Sequence, residues 1–329
     1  MATLDEVAIR AGVSASTVSR VFSRPDKVSE KTRERVRTAA ASVGFARNSA
    51  ARALARGRTD LVGLLVPDLR SPYFAPIISA AHAEAERAGG ELVIADSHGD
   101  ANREAEILWR LRGRVDGMIL VSPRSDATVI SDAAKMIPIV TVNRAVDMVD
   151  SVVIDVERGT HELAAHILGA GHRTIAYIGG PPGSLTDETR FAALMTSADE
   201  RHAECRRLGV VEPTIAAGAS LHESVVHSGA TAVVAYNGLV AYGLLSALGA
   251  SGHQVPDDIA IASTDDLLDV GFGIPNITGI HQPLAQAGRE ATERLGARIA
   301  GNFRDSSADG TLQFTHWTIS TTLAHGSSV

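Results

Sequence analysis

Arg20 stands among small side chains, with Ala15, Ser16 and Ser19 close by in the chain. An arginine whose neighbours are too small to hold it off can reach a base edge and donate two hydrogen bonds to O6 and N7 of guanine. The surrounding segment is cationic. Residues 1–58 hold 12 Lys/Arg against 5 Asp/Glu, whereas residues 59–329 hold 19 against 33, an asymmetry the whole-chain charge of −7 conceals. Positive charge gathered at one end of an acidic protein points to an anionic partner, of which nucleic acid is the commonest. A three-helix cap with merely solvated polar faces would share the helical pattern but not the charge asymmetry.

Other groupings fall short of the chemistry they suggest. His161-Glu162 with His166 has its second histidine at i+5, about 140° round a helix, and not at the i+4 that puts two ligands on one face. Gly169-x-Gly171 precedes an apolar run where a dinucleotide fingerprint would follow one. Gly179-Gly180-Pro181-Pro182-Gly183 follows a strand-like run, but its prolines remove backbone donors that a phosphate loop needs. There is no G-x-S-x-G elbow, and Cys205 is the single cysteine, so neither a disulfide framework nor a cysteine-based metal site can form within one chain. The expectation is a non-enzyme without metal or cofactor. The start MATLDEVAIR lacks a secretory pattern and no apolar run reaches about 18 residues, so a cytoplasmic protein with no membrane partner is expected.

The elements that must position Arg20 are helical. Leu4, Val7 and Ala8 share a helical face behind Asp5 and Glu6 in the first turn, the pattern breaks at Ala11-Gly12-Val13, and Ser14 caps a second helix to about Phe22. Val18, Val21 and Phe22 face inward there, leaving Ala15, Ser16, Ser19 and Arg20 outward and Thr17 at the boundary. Helix, glycine turn, helix with a small polar outer face is a helix-turn-helix, whose second helix lies in a major groove. Ser29 caps a third helix over about 30–43, ended by Gly44, with Lys31, Arg33, Arg35 and Arg37 as a basic surface. Residues 48–57 are an alanine-rich helix former too short to be stable alone.

From Leu61 apolar runs alternate with amphipathic helices: 61–67, 91–96, 116–122, 137–143 and 151–155, then again 174–180, 231–237, 258–264 and 277–283, followed by a helix and two terminal strands. Runs of this kind are buried on both faces, which predicts two doubly wound parallel-sheet α/β subdomains with a ligand cleft at strand carboxyl ends. The 45% hydrophobic content is enough for such cores, and 329 residues suggest two or three domains.

Residues 4–54 are similar to the head of the lactose/galactose-repressor (LacI/GalR) family of bacterial transcription regulators. The AGVS-x-x-TVSRV core, the VS-x-KTR helix start and the N-x-x-A-x-x-L segment match in order and spacing, and HRTIAYIGGPPGS, the Arg190 region and DDIAIASTDD extend a weaker resemblance over the body. The resemblance implies an all-α helix-turn-helix head on a periplasmic-binding-protein-like body. It implies a DNA-binding domain at 1–46, a hinge helix and linker at 47–60 and an effector-binding, dimerising core at 61–329. That core divides into an N-subdomain (about 61–158 and 282–312) and a C-subdomain (about 159–281 and 313–329). DNA contact is implied for Thr3, Ser14, Ala15, Ser16, Thr17, Ser19 and Arg20, and for Asn48, Ser49, Ala51, Arg52 and the wedging Leu54 of the hinge. Effector contact is implied for Ser71, Tyr73, Phe74, Arg144, Arg190, Asn237 and Asp265. Arg190 could instead pair with Asp187 or Glu188, Tyr73 and Phe74 could be core, and Asp265 could cap a turn.

The chain departs from the family pattern at Asn237-Gly238, where an acidic residue is common after the asparagine, in the short 210–228 segment, and at Ala193 in place of glycine. The expected protein is a homodimeric repressor on a pseudo-palindromic operator, controlled by a small, sugar-like effector and without a tetramerising heptad tail. The alternative is a solute-binding transport component built on the same bilobed core; a nucleotide-dependent enzyme is disfavoured by the absent phosphate loop.

Overall fold

Thr3 sets the first helix. Its hydroxyl accepts the Glu6 N–H while the Glu6 carboxylate takes the Thr3 N–H, a capping box that starts α1 (Leu4–Ala11). Gly12 follows at φ +61, a left-handed position that glycine adopts without a Cβ clash, and its N–H returns to the carbonyls of Ala8 and Ile9. Ser14 Oγ then accepts the Thr17 N–H at the start of α2 (Ala15–Ser23), and Ser29 caps α3 (Glu30–Ser42). Val7, Ala8, Ala11, Val18, Val21, Val36, Ala39 and Ala40 form the core of this unit, with the Phe22 and Phe45 rings 5.9 Å apart at its margin. Leu4 does not join them: it is 41% exposed, because a side chain in a helix's first residue leans back over the cap and away from the following turns.

The computed structural model describes residues 2–23, 25–45, 57–266, 277–301 and 314–329. Met1–Thr59 and Asp60–Val329 form separate compact units. The expected hinge residues Asn48, Ser49, Ala51, Arg52 and Leu54 lie outside the described residues.

In the second unit the apolar runs become strands. β1 (Leu61–Val66), β2 (Glu91–Asp96), β3 (Gly117–Val121), β4 (Ile139–Val142) and β5 (Asp150–Ile154) come first, with α4 (Ala75–Arg87), α5 (Ala101–Leu111) and α6 (Ala127–Ala134) between them. The second series runs α7 (Val156–Gly169), β6 (Thr174–Gly179), α8 (Leu185–Glu200), β7 (Glu204–Val210), α9 (Ile215–Ser220), α10 (His222–His227), β8 (Ala232–Ala235), α11 (Gly238–Ala250), β9 (Ala260–Ser263) and β10 (Thr278–His281). Then come α12 (Leu284–Ile299), β11 (His316–Ile319) and β12 (Thr322–Ala324). The first sheet has the order β11-β5-β4-β3-β1-β2 and is parallel throughout. The second has the order β12-β10-β9-β8-β6-β7 and is parallel except for β12, which runs antiparallel to β10.

Two features differ from the sequence reading. The alternation 204–210 is an extra strand, β7, at the edge of the second sheet, where only one neighbour is needed and charged Arg206 and Arg207 can remain. The terminal segment 313–329 does not belong wholly to the second lobe. Within it, His316–Ile319 pairs with Ser151–Ile154 in the first sheet before the chain crosses to β12. The pin is electrostatic: Asp150, fully buried, accepts from Arg298 Nε at 2.5 Å and Nη2 at 2.8 Å, and from the Thr315 N–H at 2.8 Å, while Ile319 enters the first lobe's core. Among the described residues the chain therefore crosses between the sheets three times, after β5, β10 and β11. Gly288 on α12 lets that helix lie against α4, since a Cβ there would fall 2.4 Å from the Ile77 carbonyl oxygen.

Candidate functional site

Two regions carry side chains suited to binding. On the first unit, Ser16, Ser19 and Arg20 are exposed on α2 and Thr17 is half-buried, as the periodicity predicts, whereas Ala15, expected to point outward, is half-buried against the unit's core. Ser14 Oγ lies 2.9 Å from both Ser16 Oγ and Thr17 Oγ1, so a hydroxyl cluster marks the start of the helix. Arg20 has no hydrogen-bond or ion-pair partner among the described residues. Thr3 is engaged in its capping box, although its O–H proton stays available. On α3, Lys31, Arg35 and Arg37 are exposed, whereas Arg33 is half-buried and paired with Glu30. The basic face there is thus narrower than the sequence count implied.

The second region is a cavity of about 300 Å³ between the two sheets. Its wall is made by the segments that leave strand carboxyl ends: Asp68 to Phe74 after β1, His98 after β2, Ser122 to Arg124 after β3, Asn143 and Arg144 after β4, Pro181 to Leu185 after β6, Glu212 after β7, Tyr236 and Asn237 after β8, and Asp265 after β9. This is where parallel sheets place ligands. All seven residues expected to face an effector, Ser71, Tyr73, Phe74, Arg144, Arg190, Asn237 and Asp265, line this one cavity.

A hydrogen-bonded chain spans it. Tyr73 Oη donates to Gln282 Oε1 at 2.7 Å and receives a bond from Asn143 Nδ2, which also donates to Ser122 Oγ; Gln282 Nε2 donates to the Thr264 carbonyl. Ser122 and Asn143 hold left-handed backbones, φ +47 and +64, just past the ends of β3 and β4; such strain in non-glycine residues gathers at binding sites. Burial raises the Tyr73 phenol far above its ordinary value, so it stays a donor. Phe74 stands edge-on to Tyr73, centroids 5.1 Å apart, and also belongs to the first lobe's core.

On the opposite wall Arg190 is 4% exposed. It does not pair with Asp187 or Glu188. Asp187 instead accepts from Tyr177 Oη at 2.6 Å and the Gly180 N–H at 3.0 Å, and Arg207 holds both carboxylates. Arg190 Nη1 makes only a long 3.4 Å bond to the Tyr236 carbonyl, its Nε has no partner among the described residues, and its guanidinium lies 5.8 Å from the Tyr236 ring centroid. Tyr236 is seated on Gly180, where any Cβ would strike its ring. Asp265 is 4% exposed; its Oδ1 accepts the Gly238 N–H at 2.6 Å, at the amino end of α11. Burial pushes its carboxyl up to about 6, with Arg190 pulling the other way. Asn237 caps α11 through Oδ1, which leaves its amide NH2 for the cavity. A buried donor and a buried acceptor on one wall, aromatic edges on the other, suit a small polar molecule with several hydroxyls.

Asp68, Arg70, Ser122, Arg124, Asn143, Glu212 and Tyr236 also line the cavity and were not singled out from the sequence. The signal was present for all but Glu212: the others lie within a few residues of the carboxyl end of an apolar run, whereas Glu212 follows the charged edge strand β7. His161 and His166 serve elsewhere, His161 Nδ1 2.7 Å from Ser197 Oγ and His166 edge-on to His325. Among the described residues no helix is long and apolar enough to cross a membrane.

Comparison with known proteins gives a consistent picture. Residues 3–48 match bacterial regulatory proteins of the lacI family, and residues 164–328 match a periplasmic binding protein-like domain. The chain is 27% identical to the HTH-type transcriptional regulator DegA of Bacillus subtilis over 309 residues, covering 91% of this chain and 92% of that one. It is 28% identical to the HTH-type transcriptional repressor PurR of Pectobacterium atrosepticum over 316 residues, covering 93% of each. Among solved structures, the Lac repressor bound to ONPG in its repressed state is similar at a TM-score of 0.85 and 25% identity, covering 100% of this chain and 99% of that one.

Proposed function

The chain belongs to the LacI family of bacterial regulatory proteins, a DNA-binding transcriptional regulator with a periplasmic-binding-protein-like body, and from that premise we propose that it works as a homodimeric repressor whose hold on its operator is set by a small sugar-like effector. Two heads would meet two half-sites of a pseudo-palindrome, since a two-fold protein axis maps onto a two-fold DNA axis. Arg20, supported by Ala15, Ser16, Thr17 and Ser19, reads base edges, and Thr3 and Ser14 contact phosphate. Asn48, Ser49, Ala51, Arg52 and Leu54 supply the hinge contacts in the minor groove.

The observation that carries the effector half of this reading is the convergence of Ser71, Tyr73, Phe74, Arg144, Arg190, Asn237 and Asp265, from five segments distant in sequence, on one cavity. The transcriptional regulator CelR, whose structure is similar, forms a complex with cellobiose, which supports a sugar-like occupant here. A ligand bridging the lobes changes operator affinity only through different affinities for their open and closed arrangements. This role needs no cofactor, metal or catalytic step and is carried out in the cytoplasm, where chromosomal DNA lies. A transport component would have no use for the head.

The test is a gel-shift titration of full-length protein on its operator. Arg20→Ala should weaken specific binding roughly tenfold to a hundredfold, the range for losing one bidentate base contact. Asp265→Ala should bind the operator and blunt the response to effector. Operator affinity equal to the parent's in Arg20→Ala would remove α2 as the reading helix.

A further inference from the structure

Of the four arginines on the cavity wall, three are not paired with a carboxylate among the described residues. Arg70 is paired, its Nε 3.0 Å from Asp68 Oδ1, and Glu212 faces it as well. Arg124, Arg144 and Arg190 line the same cavity, and none of the three forms an ion pair among the described residues. Asp265 is the remaining carboxylate, and it is taken up on one oxygen by the Gly238 N–H. Neutral backbone carbonyls hold the two outer arginines. Arg144 Nη1 donates to the carbonyls of Pro123 and Ser125, and Arg124 Nη1 donates across the cleft to the carbonyl of Pro182.

Their placement is built. Glu104, 2% exposed on α5, accepts the N–H groups of Arg124 (3.1 and 3.0 Å) and Ser125 (2.9 Å) and fixes the loop. The Arg144 head is bonded to the carbonyls on either side of Arg124, so one three-residue loop fixes both the Arg144 guanidinium and the backbone that carries Arg124. Gly99 and Gly183 flank Arg124 at left-handed φ values of +69 and +78; a Cβ on either would sit 3.7 to 3.8 Å from its guanidinium, so both leave that face uncovered. Deeper in, Arg190 is buried with Nε unpartnered. Each guanidinium has further N–H groups beyond those in the bonds named, and a guanidinium can meet two oxygens of one anion at once.

We propose that the occupant of this cleft is an acid: a polyhydroxy compound bearing a carboxylate or a phosphate, its anionic group held by Arg124 and Arg144 and its hydroxyls by Arg190 and Asp265. The inference rests on the effector reading above and narrows it. A neutral sugar would leave the Arg124–Arg144 pair without a counter-charge, whereas an acid neutralises it and, through Arg124, also ties the first lobe to the Pro181–Gly183 loop of the second.

The experiment uses full-length protein and matched trios of probes: D-glucose, D-glucuronate and D-glucose 6-phosphate, with the corresponding galactose and ribose series, screened by thermal shift and measured by calorimetry. The expected result is that an acid member binds at least tenfold more tightly than its neutral parent sugar, with a preference that shrinks as NaCl is raised. Arg124→Gln and Arg144→Gln, each checked for folding by circular dichroism, should each remove most of that preference. Tighter binding of the uronate or of the phosphate identifies which anion is recognised. A neutral member binding as tightly as its acids, or an acid preference indifferent to both substitutions, overturns the proposal while leaving a sugar-responsive regulator. If no member of any trio binds, the effector reading itself fails and the proposal with it.

Discussion

Asp265 and Arg190 show what single residues contribute to this cleft. Both are buried and of opposite sign, and no ion pair joins them among the described residues, so each keeps hydrogen-bonding capacity for a ligand. The identities of both were legible in the sequence through resemblance, but their surroundings were not. That Asp187 and Glu188 are held by Tyr177, Gly180 and Arg207, leaving Arg190 to the cavity, depends on β7 bringing Arg207 beside α8, and that contact is made by folding. Asp265 titrates near 6 when folded against an ordinary 3.8, so the folded protein binds the extra proton between those values. Its contribution to stability is full below the ordinary value and is lost as pH rises through about 6. On going from pH 7.5 to 5 the parent should gain about 1 kcal/mol over Asp265→Asn in urea unfolding, following the energy of a pKa shift. Equal pH dependence in the two proteins would mean this carboxyl is not raised by burial.

At the scale of elements, the strands that were easiest to foresee are those buried on both faces. Runs such as Leu61–Val66 and Gly117–Val121 have neighbours on each side and helices on both faces, so nearly every residue must be apolar. β7 escaped notice because an edge strand tolerates Arg206 and Arg207, which blur the pattern. β11 was read in the wrong lobe for a different reason. His316–Ile319 has exposed residues at its first three positions, and its partner is chosen by the buried Asp150, which neither hydropathy nor spacing reveals. Arg298→Ala should therefore cost about 3–5 kcal/mol in equilibrium unfolding, because it strands a buried carboxylate, and should expose the amides of 316–319 to hydrogen exchange. A loss under 1 kcal/mol would show that β11 is held by strand pairing and Ile319 alone.

For the whole molecule, the decisive asymmetry is electrostatic and was visible from the start: a cationic first 58 residues joined to an acidic remainder. It separates the surface that meets DNA from the body that holds the cleft. The body's three crossings between sheets keep its lobes connected while allowing the cavity wall to be drawn from both. Residues 47–60, between the helical head and the first strand, are where the sequence places the hinge. The most direct check is a nuclease footprint of the full-length protein on fragments of its own genome, at low and high salt and with the cleft ligand present or absent. The account predicts a two-fold symmetric protected segment that fades as salt rises and whose occupancy the ligand changes. The contradicting result is no salt-sensitive protection on any fragment, with or without ligand.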